Sequence, residues 1–163
     1  MRHHQISSLD NYLKITIKNN KFVQGIFKPT HMEKYKGHDL PRYLSSWELK
    51  LFRWCDTNPN VVEWGSESVV IPYQNPIDNK THRYIVDATV KLKTPEGLKK
   101  YLIEVKPFKQ TIEPQKSPGK QNKTLLYEQL TFIKNKAKWE AAKKFAKQYG
   151  YEFTILTEKE LRK

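Results

Sequence analysis

The chain contains, at residues 82–106, the run HRYIVDATVKLKTPEGLKKYLIEVK, in which two β-rich segments flank a Thr-Pro-Glu-Gly turn. The alternation of apolar and polar residues predicts strands at residues 82–92 and 99–106, joined as an antiparallel hairpin. Successive side chains of a strand point to opposite faces, so in the first strand we expect Asp87 on one face. The residues expected on the other face are Tyr84, Val86, Ala88, Val90 and Leu92.

The turn also predicts the register of this hairpin. If Thr94 lies opposite Gly97, the numbers of paired residues sum to 191, and Asp87 lies directly opposite Glu104. A slip by two residues would still leave both acids on one face. Lys106, two residues after Glu104, is expected on that same face, about 7 Å along the strand.

Two facing carboxylates need a compensating charge, because like charges directly opposite each other destabilise a sheet. Mg²⁺ prefers one or two carboxylates and keeps several waters, which leaves room for phosphate oxygens. Lys106 could then hold an attacking water or stabilise developing charge. The alternative is a solvated polar face on which Asp87 and Glu104 lie beside Arg83 and Lys91.

A helix is predicted at residues 46–56, before the strands. Ser45 is a typical N-cap, and Glu48 three residues later completes a capping-box pattern. Glu48 is also a candidate third carboxylate, since it adjoins the apolar residues Trp47 and Leu51. Its alternative role is only to accept the backbone N–H of Ser45.

The remaining pattern predicts a mixed α/β domain. Short strands at 61–64 and 68–73 would complete a small antiparallel meander, and a loop is expected at 107–124. A long helix at 124–149, ended by Gly150, would cross over to a strand at 151–156 parallel to the strand ending at Lys106. The apolar stripe expected on that helix is Leu126, Leu130, Ile133, Ala137, Ala141 and Phe145. A short hairpin is expected at 14–23, within a basic N-terminal arm (1–43) that precedes the main domain (44–163).

The composition indicates one folded, basic domain of 163 residues with a net charge of +13. The excess charge lies in two flanks, at residues 1–43 and 107–163, and favours a polyanionic partner such as DNA. A single cysteine, Cys55, cannot form an internal disulfide, and no CxxC motif supports zinc. Lacking an apolar run long enough for a membrane span, the chain is expected in a reducing, soluble compartment without a membrane partner.

Several basic and polar residues are candidates for contacts with DNA phosphates, with solvated surface positions as the alternative. They are Arg42, Ser45, Arg83, Lys120, Lys123, Lys134 and Lys138. Tryptophans more often lie in a core than stack on bases, and Trp139, beside Lys138, is the one we consider for DNA contact.

The motifs around these residues resemble those of the PD-(D/E)xK nucleases, which have a restriction-endonuclease-like core. The likeness lies in the order of the motifs, which is an acid on a helix, then Asp87, then Glu104-Val105-Lys106, and then a crossover helix. The stretches QGIFKP (24–29), YLSSWE (43–48), HRY (82–84) and YLIEVKP (101–107) are similar to the TnsA-like endonucleases of tailed phages known as head-completion nucleases. Two residues depart from that pattern. Val86 stands where the family has a proline before the aspartate, and Leu44 stands where it has an arginine, whose contact with phosphate Arg42 could provide instead.

The resemblance implies an Mg²⁺-dependent DNA endonuclease, with Mn²⁺ as an alternative ion. Glu48, Asp87, Glu104 and the carbonyl of Val105 would surround one or two ions, and Lys106 would polarise the water. The implied substrate is double-stranded DNA at the packaged head, in the host cytoplasm or the virion, with portal or neck proteins as partners. The alternatives are a non-catalytic DNA-binding head or neck protein and a Holliday-junction-type resolvase.

Overall fold

A computed structural model describes residues 23–162. The predicted hairpin at 14–23 therefore lies almost wholly outside the described residues. In chain order, the strands and helices are β1 (Gly25–Ile26), β2 (Arg42–Tyr43), α1 (Ser46–Thr57), β3 (Val61–Ser66), β4 (Val70–Asn75), β5 (Lys80–Ile85), β6 (Ala88–Thr94), β7 (Gly97–Val105), α2 (Asn122–Tyr149), β8 (Glu152–Leu156) and α3 (Glu158–Leu161). Short 3-10 helices lie at Met32–Lys34 and Phe108–Gln110.

A four-stranded mixed sheet forms the centre of the molecule, with strand order β3-β6-β7-β8. β7 pairs antiparallel with β6 and parallel with β8, so the crossover through α2 is as predicted. The hairpin register is also confirmed, because Thr94 pairs with Gly97 and Ala88 with Ile103. The mixed α/β class expected from the sequence is therefore confirmed.

The second pair of strands does not belong to this sheet. β4 and β5 pair only with each other, as a separate antiparallel hairpin that packs against α2. The expectation of one continuous strand at residues 82–92 in a single meander was therefore wrong. The chain leaves one sheet at Ile85 and enters the other at Ala88, and Val86 bonds back to Val69 through its N–H.

This break also changes which side chains share a face. Ala88 and Val90 pack with the α1 side of the sheet, whereas Tyr84 and Val86 pack with Leu102 on the α2 side. The prediction that Tyr84 and Val86 would face the same way as Ala88 was wrong. A two-residue alternation holds only while the strand is continuous, and the junction at Val86 and Asp87 interrupts it.

The central sheet separates two apolar clusters. On one face, α1 packs through Leu51, Phe52 and Cys55 on Trp64, which is 1% exposed. Ser45 caps this helix by accepting the N–H of Glu48, as expected. On the other face, α2 and the β4–β5 hairpin cover the sheet, so that α2 overlies the carboxyl-terminal half of β7.

The segment before α1 packs closely on the α1 face. The carboxylate of Asp56 accepts the backbone N–H groups of Thr30 and His31 at 2.9 and 2.8 Å. The Nζ of Lys34 donates to the carbonyls of Asp56 and Asn58 at the end of α1. Together these bonds tie residues 30–34 to the carboxyl end of the helix, where the carbonyl of Asp56 would otherwise lack a partner within the helix.

The expected apolar stripe of α2 was wrong in its first half. Leu126, Leu130 and Ile133 are exposed, and the residues that α2 buries are Asn135, Trp139, Ala142 and Ala146. The buried residues of α2 all lie from Asn135 onward, so the leucines nearer its amino-terminal end do not contribute to the core. Gly150 ends the helix with a φ of 74°, in the left-handed region, as predicted. Within residues 23–162, no helix is both long and apolar enough to cross a membrane.

Candidate active site

Asp87 lies at the junction between the β4–β5 hairpin and the central sheet. The backbone pairing of β6 with β7 ends at Ala88 and Ile103. Two residues further along β7, the N–H of Val105 donates to the Oδ2 of Asp87 at 2.7 Å. The backbone carbonyl of Asp87 accepts the N–H of Glu67. The aspartate is thus fixed to two neighbouring segments, and its Oδ1 accepts no hydrogen bond from residues 23–162.

Glu104 lies on the α2 side of β7 and is only 4% exposed. Its Oε2 accepts a hydrogen bond of 2.6 Å from the hydroxyl of Tyr84. Its Oε1 lies 3.2 Å from the Nζ of Lys106. Lys106 therefore shares a face with Glu104, as the spacing predicted, and forms an ion pair with it.

The electrostatics of this cluster indicate a shortage of positive charge. Burial, and then the nearby carboxylate of Glu104, raise the pKa of Asp87 to about 8, although the Val105 N–H bond acts against this. The half-buried Asp87 and the buried Glu104, with so little compensation, fit a divalent cation, which would stabilise both in their charged form. The donor set therefore fits the metal that the sequence suggested.

Glu48 lies at the amino-terminal end of α1 and is half-buried. Its Oε2 accepts the N–H of Leu44, whereas a capping box would use the N–H of Ser45. Burial raises its pKa, and the charges of Glu67 and Glu104 add to that shift. Among the residues that the structure describes, no three His, Cys, Asp or Glu side chains meet as a ready metal-binding cluster. A metal role for Glu48 therefore stays a prediction.

The candidate DNA contacts occupy different surroundings. Lys138 is half-buried beside this site, and burial, followed by the charge of Lys106, lowers its pKa. Lys134 lies one turn earlier on α2 and adds to the same positive surroundings. Lys120 is paired with Glu128 at 2.9 Å, so it is less available to a phosphate.

The other candidates for DNA contact lie on the surface, except Ser45 and Trp139. Arg42 on β2, Arg83 on β5 and Lys123 near the start of α2 are exposed, whereas Ser45 uses its hydroxyl as the helix cap. Trp139 is 6% exposed, so a base could not stack on its ring without moving α2. Trp139 is therefore part of the core, which is the location that the sequence analysis favoured for the tryptophans.

Sequence reasoning missed Tyr84 as a member of this site. The alternation along the expected strand placed its side chain on the face away from Asp87, because the break at residues 86 and 87 was not foreseen. The sequence feature that could have indicated Tyr84 is the HRY stretch (82–84), which is one of the stretches similar to the nuclease family.

The raised pKa of Asp87 predicts a pH-dependent stability difference. In the unfolded chain this carboxyl would ionise near its ordinary value of 3.8, whereas in the folded protein it holds its proton until about pH 8. Stability is therefore lost as pH rises from about 4 to 8. Asp87→Asn, which cannot ionise, is expected to raise the free energy of unfolding by about 1–3 kcal/mol at pH 8 and by little near pH 4.

Urea denaturation in EDTA at several pH values would measure this difference. Asp39→Asn is the matched control, since the side chain of Asp39 is 92% exposed and should show no such trend. An Asp87→Asn difference that stays constant across this pH range would contradict the prediction.

Comparisons with known proteins match this chain to nucleases. Residues 58–158 match the family model described as TnsA-like endonuclease N terminal. Over 142 residues, 85% of this chain and 93% of the relative, the sequence is 37% identical to the head completion nuclease of Enterobacteria phage T4. No solved structure matches the chain.

The chain belongs to the TnsA-like endonuclease family. The family predicted from its motifs is thereby confirmed. The matched stretch contains Asp87, Glu104 and Lys106, whereas Glu48 lies before its first residue.

Proposed function

We propose that this protein is a metal-dependent DNA endonuclease that hydrolyses phosphodiester bonds of double-stranded DNA during completion of the phage head. The observation that carries this proposal is the meeting of Asp87, Glu104 and Lys106 at one end of the central sheet. Two acids shielded from solvent to different degrees, beside a lysine and in a domain of net charge +13, suit a polyanionic substrate that is cleaved with metal assistance.

Asp87 and Glu104 would hold the divalent ion, Mg²⁺ or Mn²⁺. The carboxylate of Glu48 and the carbonyl of Val105 are the proposed further ligands. The ion would activate a water and stabilise negative charge on the phosphate. The chain's own contribution is a pair of carboxylates fixed by hydrogen bonds from Val105 and Tyr84, so that little reorganisation is needed when substrate binds.

Lys106 provides a positive charge on the same face as the acids. With a metal present, the carboxylate of Glu104 would be shared between the ion and this lysine. The Nζ of Lys106 could then orient the attacking water or contact a non-bridging phosphate oxygen. Lys134 and Lys138 extend the positive surface along α2 and would hold the neighbouring phosphates, which position DNA without reading its sequence.

The phage context of this proposal comes from the relative named as a head completion nuclease. A role at the packaged head places the protein in the infected host cytoplasm and then in the virion. Portal or neck proteins are the proposed protein partners there.

Nicking of supercoiled plasmid would test the proposed activity. Wild-type protein is expected to nick plasmid in Mg²⁺ and to be inactive in EDTA. Lys106→Met should slow nicking about 100-fold, within the range for loss of a positioned group in acid–base chemistry. Lys109→Met is the matched control, since Lys109 is an exposed lysine three residues further along the chain.

The outcomes separate this function from binding alone. If wild-type protein shifts the plasmid on a gel but never nicks it in Mg²⁺ or Mn²⁺, the chain is a DNA-binding protein that lacks nuclease activity. If Lys106→Met nicks as fast as Lys109→Met, the role proposed for Lys106 is wrong.

A further inference from the structure

Tyr84 connects the β4–β5 hairpin to the acidic cluster. Its side chain is 3% exposed, and its hydroxyl donates to the Oε2 of Glu104 at 2.6 Å. The phenol is the donor in this bond, because an ionised carboxylate can only accept hydrogen bonds.

The two oxygens of Glu104 are held from two different directions. Tyr84 reaches Oε2 from the hairpin, and Lys106 lies near Oε1 from the same strand, β7. A carboxylate with only one partner could rotate about its terminal torsion, which is broad and weakly restricted. With both partners in place, the plane of the Glu104 carboxylate is defined relative to Asp87.

The ring of Tyr84 also lies against the helix that carries the candidate DNA contacts. The Nζ of Lys138 is 5.6 Å from the centre of this ring and 5.8 Å from the centre of the Tyr73 ring. Both distances are within the range of a cation–π interaction. Tyr73 is buried in the same apolar cluster, yet its hydroxyl meets no carboxylate in the described part of the chain.

We propose that Tyr84 is a positioning residue that holds the carboxylate of Glu104 in the orientation in which it binds the divalent ion. This inference rests on the proposed function, since it assigns the ion to the Asp87 and Glu104 pair. A donor to a metal-binding carboxylate orients it and tunes the affinity of the site for the ion. The hairpin therefore contributes to the site even though it lies outside the central sheet.

Tyr84→Phe removes the hydroxyl and keeps the ring that packs beneath Lys138. The dissociation constant for Mn²⁺, measured by calorimetry without DNA, is expected to rise about 10- to 100-fold. The Mn²⁺ concentration that gives half-maximal nicking should rise in parallel, while the KM for DNA at saturating Mn²⁺ stays unchanged. Tyr73→Phe is the matched control, because it also removes a hydroxyl from this cluster while keeping a ring in contact with Lys138. It should change neither the dissociation constant for Mn²⁺ nor the half-maximal Mn²⁺ concentration.

A double-mutant cycle with Glu104→Ala tests whether Tyr84 acts through Glu104. In the Glu104→Ala background, Tyr84→Phe should cause no further loss of Mn²⁺ affinity. An equal loss in both backgrounds would overturn the proposal. Circular dichroism would set the assay temperature well below the melting temperature of each variant, so that loss of folding does not enter the comparison.

The failure of this proposal differs from failure of the proposed function. If wild-type protein neither binds Mn²⁺ nor nicks DNA, the nuclease function itself is wrong. If wild-type protein does both and Tyr84→Phe matches Tyr73→Phe in Mn²⁺ affinity and in half-maximal Mn²⁺ concentration, only the role of Tyr84 is overturned.

Discussion

Asp87→Asn is expected to abolish strand cleavage while DNA affinity stays the same or increases. The asparagine keeps an oxygen that can accept the N–H of Val105, so the end of the β6–β7 ladder should persist. The asparagine cannot take the charged form that would hold the ion. Above about pH 8, where Asp87 ionises without metal, the substitution also removes a negative charge that repels DNA phosphates. Because a metal ligand is lost, and not merely a group that orients one, the rate of nicking should fall by more than about 100-fold.

The measurement pairs a nicking assay in Mg²⁺ with a gel-shift titration in EDTA. Asp39→Asn changes the same type of side chain at a site that is 92% exposed, and it should match wild type in both assays. Nicking by Asp87→Asn at the wild-type rate would refute the assignment of this site. Equal loss of nicking and of DNA binding would instead indicate that the substitution disturbed the surface that holds DNA.

Trp64→Ala is expected to lower the free energy of unfolding by about 3–5 kcal/mol, the usual cost of truncating a fully buried large aromatic residue. The indole is 1% exposed and packs in the apolar cluster that α1 and the segment before it form on the central sheet. Its ring contacts are Phe27 at 6.2 Å, Tyr35 at 4.8 Å and Phe52 at 5.4 Å between ring centres. The substitution would leave a cavity that none of these rings can fill without moving α1 or residues 27–35.

Chemical denaturation monitored by far-UV circular dichroism would measure this loss. Tyr127→Ala is a suitable control, since that side chain is 72% exposed on α2 and its removal should change stability by less than about 0.5 kcal/mol. A loss below about 1 kcal/mol for Trp64→Ala would mean that Trp64 does not hold the α1 face together.

The hairpin register could be predicted because it depends on local sequence alone. A Thr-Pro-Glu-Gly turn fixes which residues face each other, and the pairing of Thr94 with Gly97 then carries through to the pair of Ala88 and Ile103, which adjoin Asp87 and Glu104. The start of α1 was predictable for the same reason, since the Ser45 cap acts within one turn of helix. Asp87 and Glu104 were therefore placed near one another without any knowledge of the tertiary fold.

The features that could not be predicted depend on distant parts of the chain. The pattern at residues 82–92 looks continuous, and only the packing of the hairpin on α2 shows that the chain changes sheets at Asp87. The part of α2 that is buried depends on which distant segments pack against it. An apolar stripe in the sequence does not reveal that Leu126 and Leu130 stay exposed. Tyr84 was missed because its role depends on both of these long-range arrangements.

The numbers of paired residues in β6 and β7 sum to 191, and this fixed register limits how the length of β7 can vary within the family. Adding one residue to β7 between Gly97 and Glu104, without a bulge, would move Glu104 and Lys106 to the opposite face, away from Tyr84. Length changes in this strand must therefore come in pairs or be absorbed in the turn. An odd-numbered insertion in β7 would therefore disrupt the site, whereas an insertion in the turn at residues 76–79 would not shift β7 relative to β6, because that turn joins β4 to β5.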